Sequence, residues 1–272
     1  MHLCLRLRPC RAGDCLPLLP AELPWADIRP AHCLAEPIPR PLPRLPVGGR
    51  LYDADGTEWL KVTGRIWLPA PCGLNHTHAH DCPLVTALTD IAPIPSPDND
   101  ALCLEVRKEG RSLAWITLSD KGSQGLREDL SGPVIRDMAA ARLPLCHSQG
   151  FLLPDEPALL RALLTDLALN QGYDLICTTG GTGLSPRDIA PQVTAALLDM
   201  PLPGFSQAMM AASLAKTPHA AISRAVAGVL GRSIVINLPG SRKGVLENLA
   251  AVLPALPHAL DKLHGDLADC GG

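Results

Sequence analysis

Tyr173-Asp174-Leu175-Ile176-Cys177-Thr178-Thr179 runs without interruption into Gly180-Gly181-Thr182-Gly183. An apolar and β-branched run ended by glycines predicts a buried strand that opens into a tight loop. Such glycines let backbone amides approach an anion closely, because no Cβ stands in the way. The loop lacks the Gly-Lys-Ser/Thr ending of a P-loop, which excludes an NTPase of that type. It also lacks GxGxxG spacing, which disfavours dinucleotide redox chemistry. A phosphate-bearing ligand remains, with Arg187, Arg224, Arg242 and Lys243 available to offset its charge.

The same alternation continues on both sides of the loop. Upstream, residues 113–119 form a buried-strand run ending in Ser119-Asp120, and residues 143–153 form a second ending at Pro154-Asp155. Helical spacing covers residues 129–141 and 156–170. Downstream, helical stretches at 191–198 and 207–214 precede the strand-like run 233–238, which opens into Pro239-Gly240-Ser241, and a helix over 243–263 follows. Strands alternating with helices predict an α/β fold, a three-layer α/β sandwich with a mostly parallel sheet. Ligands of open sheets bind beyond the carboxyl ends of the strands. Four strand ends here carry Ser, Asp or Gly-rich turns, and one shared site accounts for them together. Taken singly, each is also ordinary turn chemistry.

The chain has 272 residues, room for one large domain or two ordinary ones. Hydrophobic residues make up 47% and charged residues 19%, so a packed core is expected. A net charge of −3 supplies no broad basic surface for polyanions, and 3% aromatics leave no base-stacking platform, so no nucleic-acid partner is expected. No apolar run reaches the roughly 18–20 residues that span a bilayer. Arg6, Arg8, Arg11 and Asp14 break up the N-terminus before a secretory apolar region forms. No membrane contact and a cytoplasmic location are expected, with no need for disulfide staples among the ten cysteines.

Cysteine and proline divide the chain. Seven of the ten cysteines and sixteen of the 28 prolines precede residue 112. Proline at that density forbids long helices, since each removes an amide donor and clashes with the preceding turn. Residues 1–111 are therefore expected as a proline-rich, β-rich module of unassigned function, and residues 112–272 as the α/β domain. The competing expectation for the first segment is a proline-rich extension that packs on the rest or stays partly disordered. Residues 36–46 should be extended. Strand-like runs flank Asp53-Ala54-Asp55-Gly56 and predict a hairpin. Cys72, His76, His78, His80 and Cys82 crowd ligand-type side chains that suit zinc or a related ion, or else form an exposed polar loop. Residues 94–100 resemble a linker. The run 45–82 is similar to the strand-turn-strand and Cys/His stretch of MOSC domains, sulfur-carrier modules found fused to cofactor-synthesis enzymes, and no residue role is carried over from it. A module of this kind would bind a partner or deliver a sulfur- or metal-bearing precursor.

From residue 112 onward a second resemblance is specific. Leu118-Ser119-Asp120-Lys121-Gly122-Ser123, Asp129-Leu130-Ser131-Gly132-Pro133, Thr178–Asp188 (TTGGTGLSPRD), Ile222-Ser223-Arg224 and Asn237-Leu238-Pro239-Gly240-Ser241 appear in order over residues 112–266. Together they resemble the molybdopterin adenylyltransferase family, which includes bacterial MogA and MoaB proteins and the G domain of gephyrin. The insertase and competence-protein branches of the fold diverge after their glycines and lack this Ser-Pro-Arg-Asp. Ala190 and Gln192 stand where Thr and Glu are usual, and Arg242 where Pro is frequent.

The resemblance implies Mg²⁺-dependent transfer of AMP from ATP to the terminal phosphate of molybdopterin, with pyrophosphate released. Asp155 and Asp188 would be the catalytic, metal-holding carboxylates, unless they only cap helices. Ser119, Asp120, Gly180, Gly181, Thr182, Gly183, Ser213, Ser223, Pro239, Gly240 and Ser241 would bind substrate, with Ser223 near the phosphate. His147, His219, His258 and His264 match nothing catalytic and are read as surface or packing residues. The resemblance further implies a homotrimer and handover to a molybdenum insertase. A noncatalytic molybdopterin-binding or scaffold protein is the alternative.

Overall fold

The computed structural model describes residues 1–19, 35–37, 44–68, 80–92 and 102–265, and these fall into two compact units, Met1–Glu109 and Gly110–Gly272. In the first unit, period-two burial sets the pattern. Strand β1 (His2–Leu7) turns Leu3, Leu5 and Leu7 inward, and β2 (Cys15–Pro17), β3 (Ala35–Pro37), β4 (Arg50–Tyr52), β5 (Glu58–Leu68), β6 (His80–Ala87) and β7 (Leu102–Arg107) complete an antiparallel sheet ordered β2-β6-β5-β4-β7-β1-β3. Its core joins the β1 leucines to Leu51, Leu60, Val62, Val85, Ile91 and Leu104.

The hairpin expected around Asp53–Gly56 joins β4 to β5. The Asp53 carboxylate accepts the amide N–H groups of Asp55 and Thr57 and the indole N–H of Trp59, while Gly56 takes φ +83° to close the turn. Arg65, 7% exposed, donates to both Asp81 oxygens, so its buried guanidinium has a charged partner.

Several expectations for this unit lie outside the described residues: Cys72, His76, His78, the linker at 94–100, and most of the extended run 36–46. Strand β7 pairs with both β4 and β1 and belongs with them to the first unit, which ends at Glu109. A disulfide forms all the same, in a chain whose length does not require such staples. Cys4 and Cys103 stand opposite each other on β1 and β7 and are bonded, with Cα atoms 4.0 Å apart. Their sequence separation of 99 residues hides that pairing from any local reading.

The second unit opens with β8 (Arg111–Leu118), which leads into the short helix α1 (Asp120–Ser123). Then come α2 (Gly132–Ala140), β9 (Leu145–Leu153), α3 (Pro157–Thr165), β10 (Leu175–Thr179), α4 (Ala190–Ala195), β11 (Met200–Pro201), α5 (Pro203–Leu214), β12 (Ala227–Leu230), β13 (Ser233–Leu238), α6 (Arg242–Val252) and α7 (Leu256–Leu263). The sheet order is β11-β12-β13-β10-β8-β9. The pairs β8/β9, β8/β10 and β10/β13 are parallel, and β12/β13 and β11/β12 are antiparallel. The mostly parallel expectation thus holds for this sheet from β13 to the β9 edge. Its far edge is an antiparallel hairpin turned by Gly231 at φ +59°, and the first unit's sheet is antiparallel.

Every residue of β10 and β13 is buried, as parallel strands covered on both faces require. Leu113, Leu175, Cys177, Ile234 and Ile236 pack under α2, α5, α6 and α7 through Ile135, Met209, Val245, Leu249, Leu256 and Leu260. Their alternates Ala114, Ile116, Ile176 and Val235 are equally buried and face the other way.

Three helices depart from their expected bounds for local reasons. Helix α2 starts at Gly132 rather than 129 because Pro133 sits in its first turn and Asp129 accepts the N–H groups of Ser131 and Gly132, holding the preceding residues in a turn. The helix expected to 170 passes from α3 into a π turn over Asp166–Gln171, which Gly172 ends at φ +73°. The continuous helix expected over 243–263 is two, α6 and α7, parted where Pro254 lacks the amide donor.

Candidate active site

Four strand ends converge at the carboxyl edge of the second sheet. After β8, Ser119 caps α1 by accepting the Gly122 N–H at 3.0 Å, and after β9 comes Asp155. Asp120 and Asp155 then clasp these two ends reciprocally. The Asp155 N–H donates to Asp120 Oδ1 at 3.0 Å, and the Asp120 N–H donates to Asp155 Oδ2 at 3.3 Å. Arg187 closes on Asp120 with Nη2–Oδ1 2.6 Å and Nε–Oδ2 3.1 Å, and reaches Glu156 Oε1 at 3.1 Å.

The two aspartates consequently titrate in opposite directions. Arg187's hydrogen bonds hold Asp120 below the ordinary carboxylate range. Burial pushes Asp155 up, the negative charges of Asp120 and Asp188 add to that, and the hydrogen bond from the Asp120 amide and the charge of Arg187 oppose it.

The glycine loop follows β10 and is closely approached at each of its glycines. Gly180 takes φ +99°, and a Cβ there would stand 2.5 Å from the Leu118 carbonyl oxygen. Gly181 takes φ +60°, and its Cβ position lies 3.4 Å from Asp155 Oδ1. At Gly183 the Cβ position lies 2.9 Å from Asp188 Oδ2. The two carboxylates therefore rest directly against the loop, one at Gly181 and one at Gly183. The Asp188 carboxylate also accepts the Ser185 N–H at 2.7 Å. Neither Asp155 nor Asp188 caps the helix that follows it, because the N-cap residues of α3 and α4 are Glu156 and Ile189, and neither helix has a side-chain cap. Asp155 instead accepts the first N–H of α1, from Asp120.

Strand β13, next to β10, delivers Pro239-Gly240-Ser241. Thr179 Oγ1 donates to the Pro239 carbonyl at 2.7 Å, Ser131 Oγ donates to the Gly240 carbonyl at 3.0 Å, and Ser241 caps α6 by accepting the Gly244 N–H. Gly240 comes so near the glycine loop that its Cβ position is 3.2 Å from Gly180 Cα.

A cavity of about 350 Å³ opens beside the loop, lined by Thr182, Gly183, Ser213, Ser223, Pro239 and Ser241 together with Lys216, His219, Lys243, Glu247 and Asn248, and by Met209, Met210 and Ile222. The expected binding set thus divides into two groups that meet at Thr182–Gly183. Six of its members line the cavity, and Ser119, Asp120, Asp155, Gly180, Gly181, Asp188 and Gly240 do not.

Two sequence expectations about charge are corrected here. Arg187 is committed to Asp120 and Glu156. Arg224 is committed to the Gly183 and Asp188 carbonyls at 2.7 and 2.6 Å and to Gln192, bracing the loop rather than facing a ligand. Lys216 and Lys243 are the cations on the cavity wall. His219, set aside as a surface or packing residue, lines the cavity too.

The missed Ser206, Met209, Met210, Gly244 and Asn248 had a readable signal, since they stand at helical spacing from the expected Ser213 on α5 and from the expected Ser241 at the start of α6.

Among the described residues no group of three or more His, Cys, Asp or Glu side chains is arranged to hold a metal. Asp155 and Asp188, flanking one loop, nevertheless suit a hard cation of the Mg²⁺ type, which commonly takes one or two protein carboxylates and completes its shell with phosphate oxygens and water.

The second unit is similar to known proteins. The family described as "Probable molybdopterin binding domain" matches residues 114–258. The molybdopterin adenylyltransferase of Helicobacter pylori (strain J99) is 39% identical over 157 residues, covering 57% of this chain and 88% of that protein. Gephyrin of Dictyostelium discoideum is 39% identical over 163 residues, covering 57% of this chain but 23% of the relative. The crystal structure of the molybdopterin biosynthesis enzyme MoaB of Thermus thermophilus superimposes with a TM-score of 0.53 at 46% identity, covering 57% of this chain and 98% of that chain.

Proposed function

The chain belongs to the molybdopterin-binding domain family through residues 114–258, and on that premise we propose that it is a molybdopterin adenylyltransferase of molybdenum cofactor biosynthesis. In this reading AMP passes from ATP to the terminal phosphate of molybdopterin. A non-bridging oxygen of that phosphate attacks the α-phosphorus of ATP, the bond to the β-phosphate oxygen breaks, and pyrophosphate leaves with the electron pair. One observation carries the reading. Gly183 both lines the 350 Å³ cavity and abuts the Asp188 carboxylate, so a ligand that reaches Gly183 from the cavity comes up beside Asp188.

The nucleophile is already anionic, so no general base is needed. Positioning and charge neutralisation are. Mg²⁺, when bound, supplies that neutralisation around the α-phosphate. Asp155 and Asp188 would hold it. The glycine loop offers amides to phosphate oxygens, and Arg224 keeps the loop in place through the Gly183 and Asp188 carbonyls. Lys216, Lys243 and Ser223 serve the terminal phosphate, and Ser213 faces the pterin. Ser119, Asp120, Gly180, Gly181 and Gly240 shape the acidic side, while Thr182, Pro239 and Ser241 form the shared wall.

Incubation with ATP, Mg²⁺ and molybdopterin should release pyrophosphate. Tight molybdopterin binding without pyrophosphate would favour a noncatalytic binding or scaffold protein instead. Asp155 must be ionised to act, and its raised pKa means that it takes up a proton at higher pH than an ordinary carboxylate. Protons therefore compete with Mg²⁺ for Asp155, so AMP transfer at limiting Mg²⁺ should fall on the acid side, and raising Mg²⁺ should move that limb to lower pH. An acid limb that does not respond to Mg²⁺ concentration would contradict this role.

The first unit, in the same reading, adds no catalytic group. A fragment from Gly110 to Gly272 should keep AMP transfer within about twofold, and a soluble fragment without turnover would show that the first unit completes the site. A homotrimer, handover of the adenylated product to a molybdenum insertase, and a cytoplasmic location belong to this proposal by resemblance. Among the described residues no helix is long and apolar enough to cross a membrane. Light scattering that finds a monomer at micromolar concentration would contradict the trimer.

A further inference from the structure

One buried amide on the cavity wall has a polarity set by its neighbours. Asn248, on α6, is 4% exposed and lines the cavity. Its Nδ2 donates to the Gly244 carbonyl at 2.8 Å and to Ser213 Oγ, on α5, at 2.8 Å. A carbonyl oxygen carries no proton, so the Gly244 bond fixes which end of the amide is nitrogen and turns Oδ1 the other way. No donor among the described residues reaches Oδ1. Thr89 Oγ1 is the one side-chain polar atom among them that is both sealed and without a partner. The Asn248 oxygen is therefore not sealed, and the space it meets is the cavity.

Ser213 is polarised in turn. A hydroxyl has a single proton to donate, and this one already accepts from Asn248. No acceptor among the described residues takes the Ser213 proton, and the residue lines the cavity. The wall thus presents a fixed donor, Ser213 Oγ–H, beside a fixed acceptor, Asn248 Oδ1. A ligand edge that matches them carries an acceptor next to a donor, which is the carbonyl and N–H of a cyclic lactam. A pterin ring has such an edge, and Met209 and Met210 line the same cavity with apolar surface that suits a flat ring.

We infer that Asn248 is a positioning and specificity-determining residue of this cavity, which directs the Ser213 hydroxyl toward the lactam edge of the bound heterocycle and accepts its N–H. The identity of that heterocycle rests on the functional reading above. A site that leaves buried polar groups unpaired discriminates strongly against ligands lacking their partners.

The test compares Asn248→Leu, Ser213→Ala and the double variant in the full-length chain. Molybdopterin binding is measured by titration without ATP, and AMP transfer is measured as KM and kcat for each substrate. Asn248→Leu should weaken molybdopterin binding about tenfold or more and raise its KM in proportion, with KM for ATP unchanged. In the Ser213→Ala background the further loss should be smaller than in wild type, because the two residues act as one unit. Should Asn248→Leu fail to fold, Asn248→Asp keeps the shape, but its carboxylate draws the Ser213 proton inward, and the same selective loss is expected.

Unchanged molybdopterin binding in both Asn248 variants would overturn the inference, as would equal rises in both KM values or strictly additive effects of the two sites. If wild type binds molybdopterin but releases no pyrophosphate, the catalytic reading alone fails and the binding arm still decides Asn248. If wild type binds none, both fail.

Discussion

Replacing Asp188 with Asn is expected to cut AMP transfer about 100-fold or more while leaving the fold intact, the scale seen when one electrostatic stabiliser is removed. The substitution is conservative in structure. Asn keeps an oxygen to accept the Ser185 N–H, now received by Asp188 Oδ2 at 2.7 Å. The backbone contacts at this position, N–H to the Ser185 carbonyl and carbonyl to Arg224, do not involve the side chain. What disappears is the negative charge beside Gly183. A second signature follows, because the Asp188 charge is among the causes that raise Asp155. The acid limb of the residual activity, measured at limiting Mg²⁺, should move to lower pH. Activity within twofold of wild type would remove Asp188 from the chemistry.

Gly180→Ala is expected to destabilise the second unit by about 2–4 kcal/mol, a drop in Tm on the order of 10 °C. Two costs combine. Alanine at φ +99° sits where L-residues lose about 1–2 kcal/mol. Its Cβ would also stand 2.5 Å from the Leu118 carbonyl oxygen, a backbone atom at the end of β8 that cannot turn away as a side chain can. Gly240 closes the opposite side, so relief in that direction would disturb the turn after β13. Gly204→Ala is the control. That glycine lies in the first turn of α5 with no atom within 4 Å of its Cβ position, so alanine there should be neutral or slightly stabilising. Equal unfolding midpoints for Gly180→Ala and wild type, in thermal or urea denaturation, would show that the loop tolerates what its geometry forbids.

Much of the site's architecture is readable in sequence because its signals are local. β10 and β13 are continuous apolar runs closed by Gly or Pro, and each strand end bears its polar pair within a few residues. Ser119, Asp155 and Ser241 therefore stand out in sequence, and the structure brings their turns to one sheet edge. The antiparallel edge formed by β11 and β12 escapes such a reading because a two-residue and a four-residue strand carry too little period-two pattern to register. The helix break at Pro254 is locally visible, yet the apolar spacing on both sides of it outweighs the signal.

Other features depend on distant partners, which local patterns do not reveal. Arg187 and Arg224 look alike in sequence as free cations, yet Asp120 lies 67 residues from the first and Gly183 lies 41 from the second. Asn248 reads as an ordinary polar helix residue until α5 brings Ser213 against it. The pairing of Cys4 with Cys103 depends on the register of β1 and β7.

The most direct measurement follows the α-phosphate itself. The full-length chain is incubated with Mg²⁺, molybdopterin and ATP labelled at the α-position, and the pterin product is analysed for label and mass. The account predicts one labelled AMP group on the terminal phosphate of each converted molybdopterin, matched mole for mole by unlabelled pyrophosphate, and loss of both in Asp188→Asn. Label that stays in the nucleotide pool while molybdopterin is recovered bound and unmodified would contradict it.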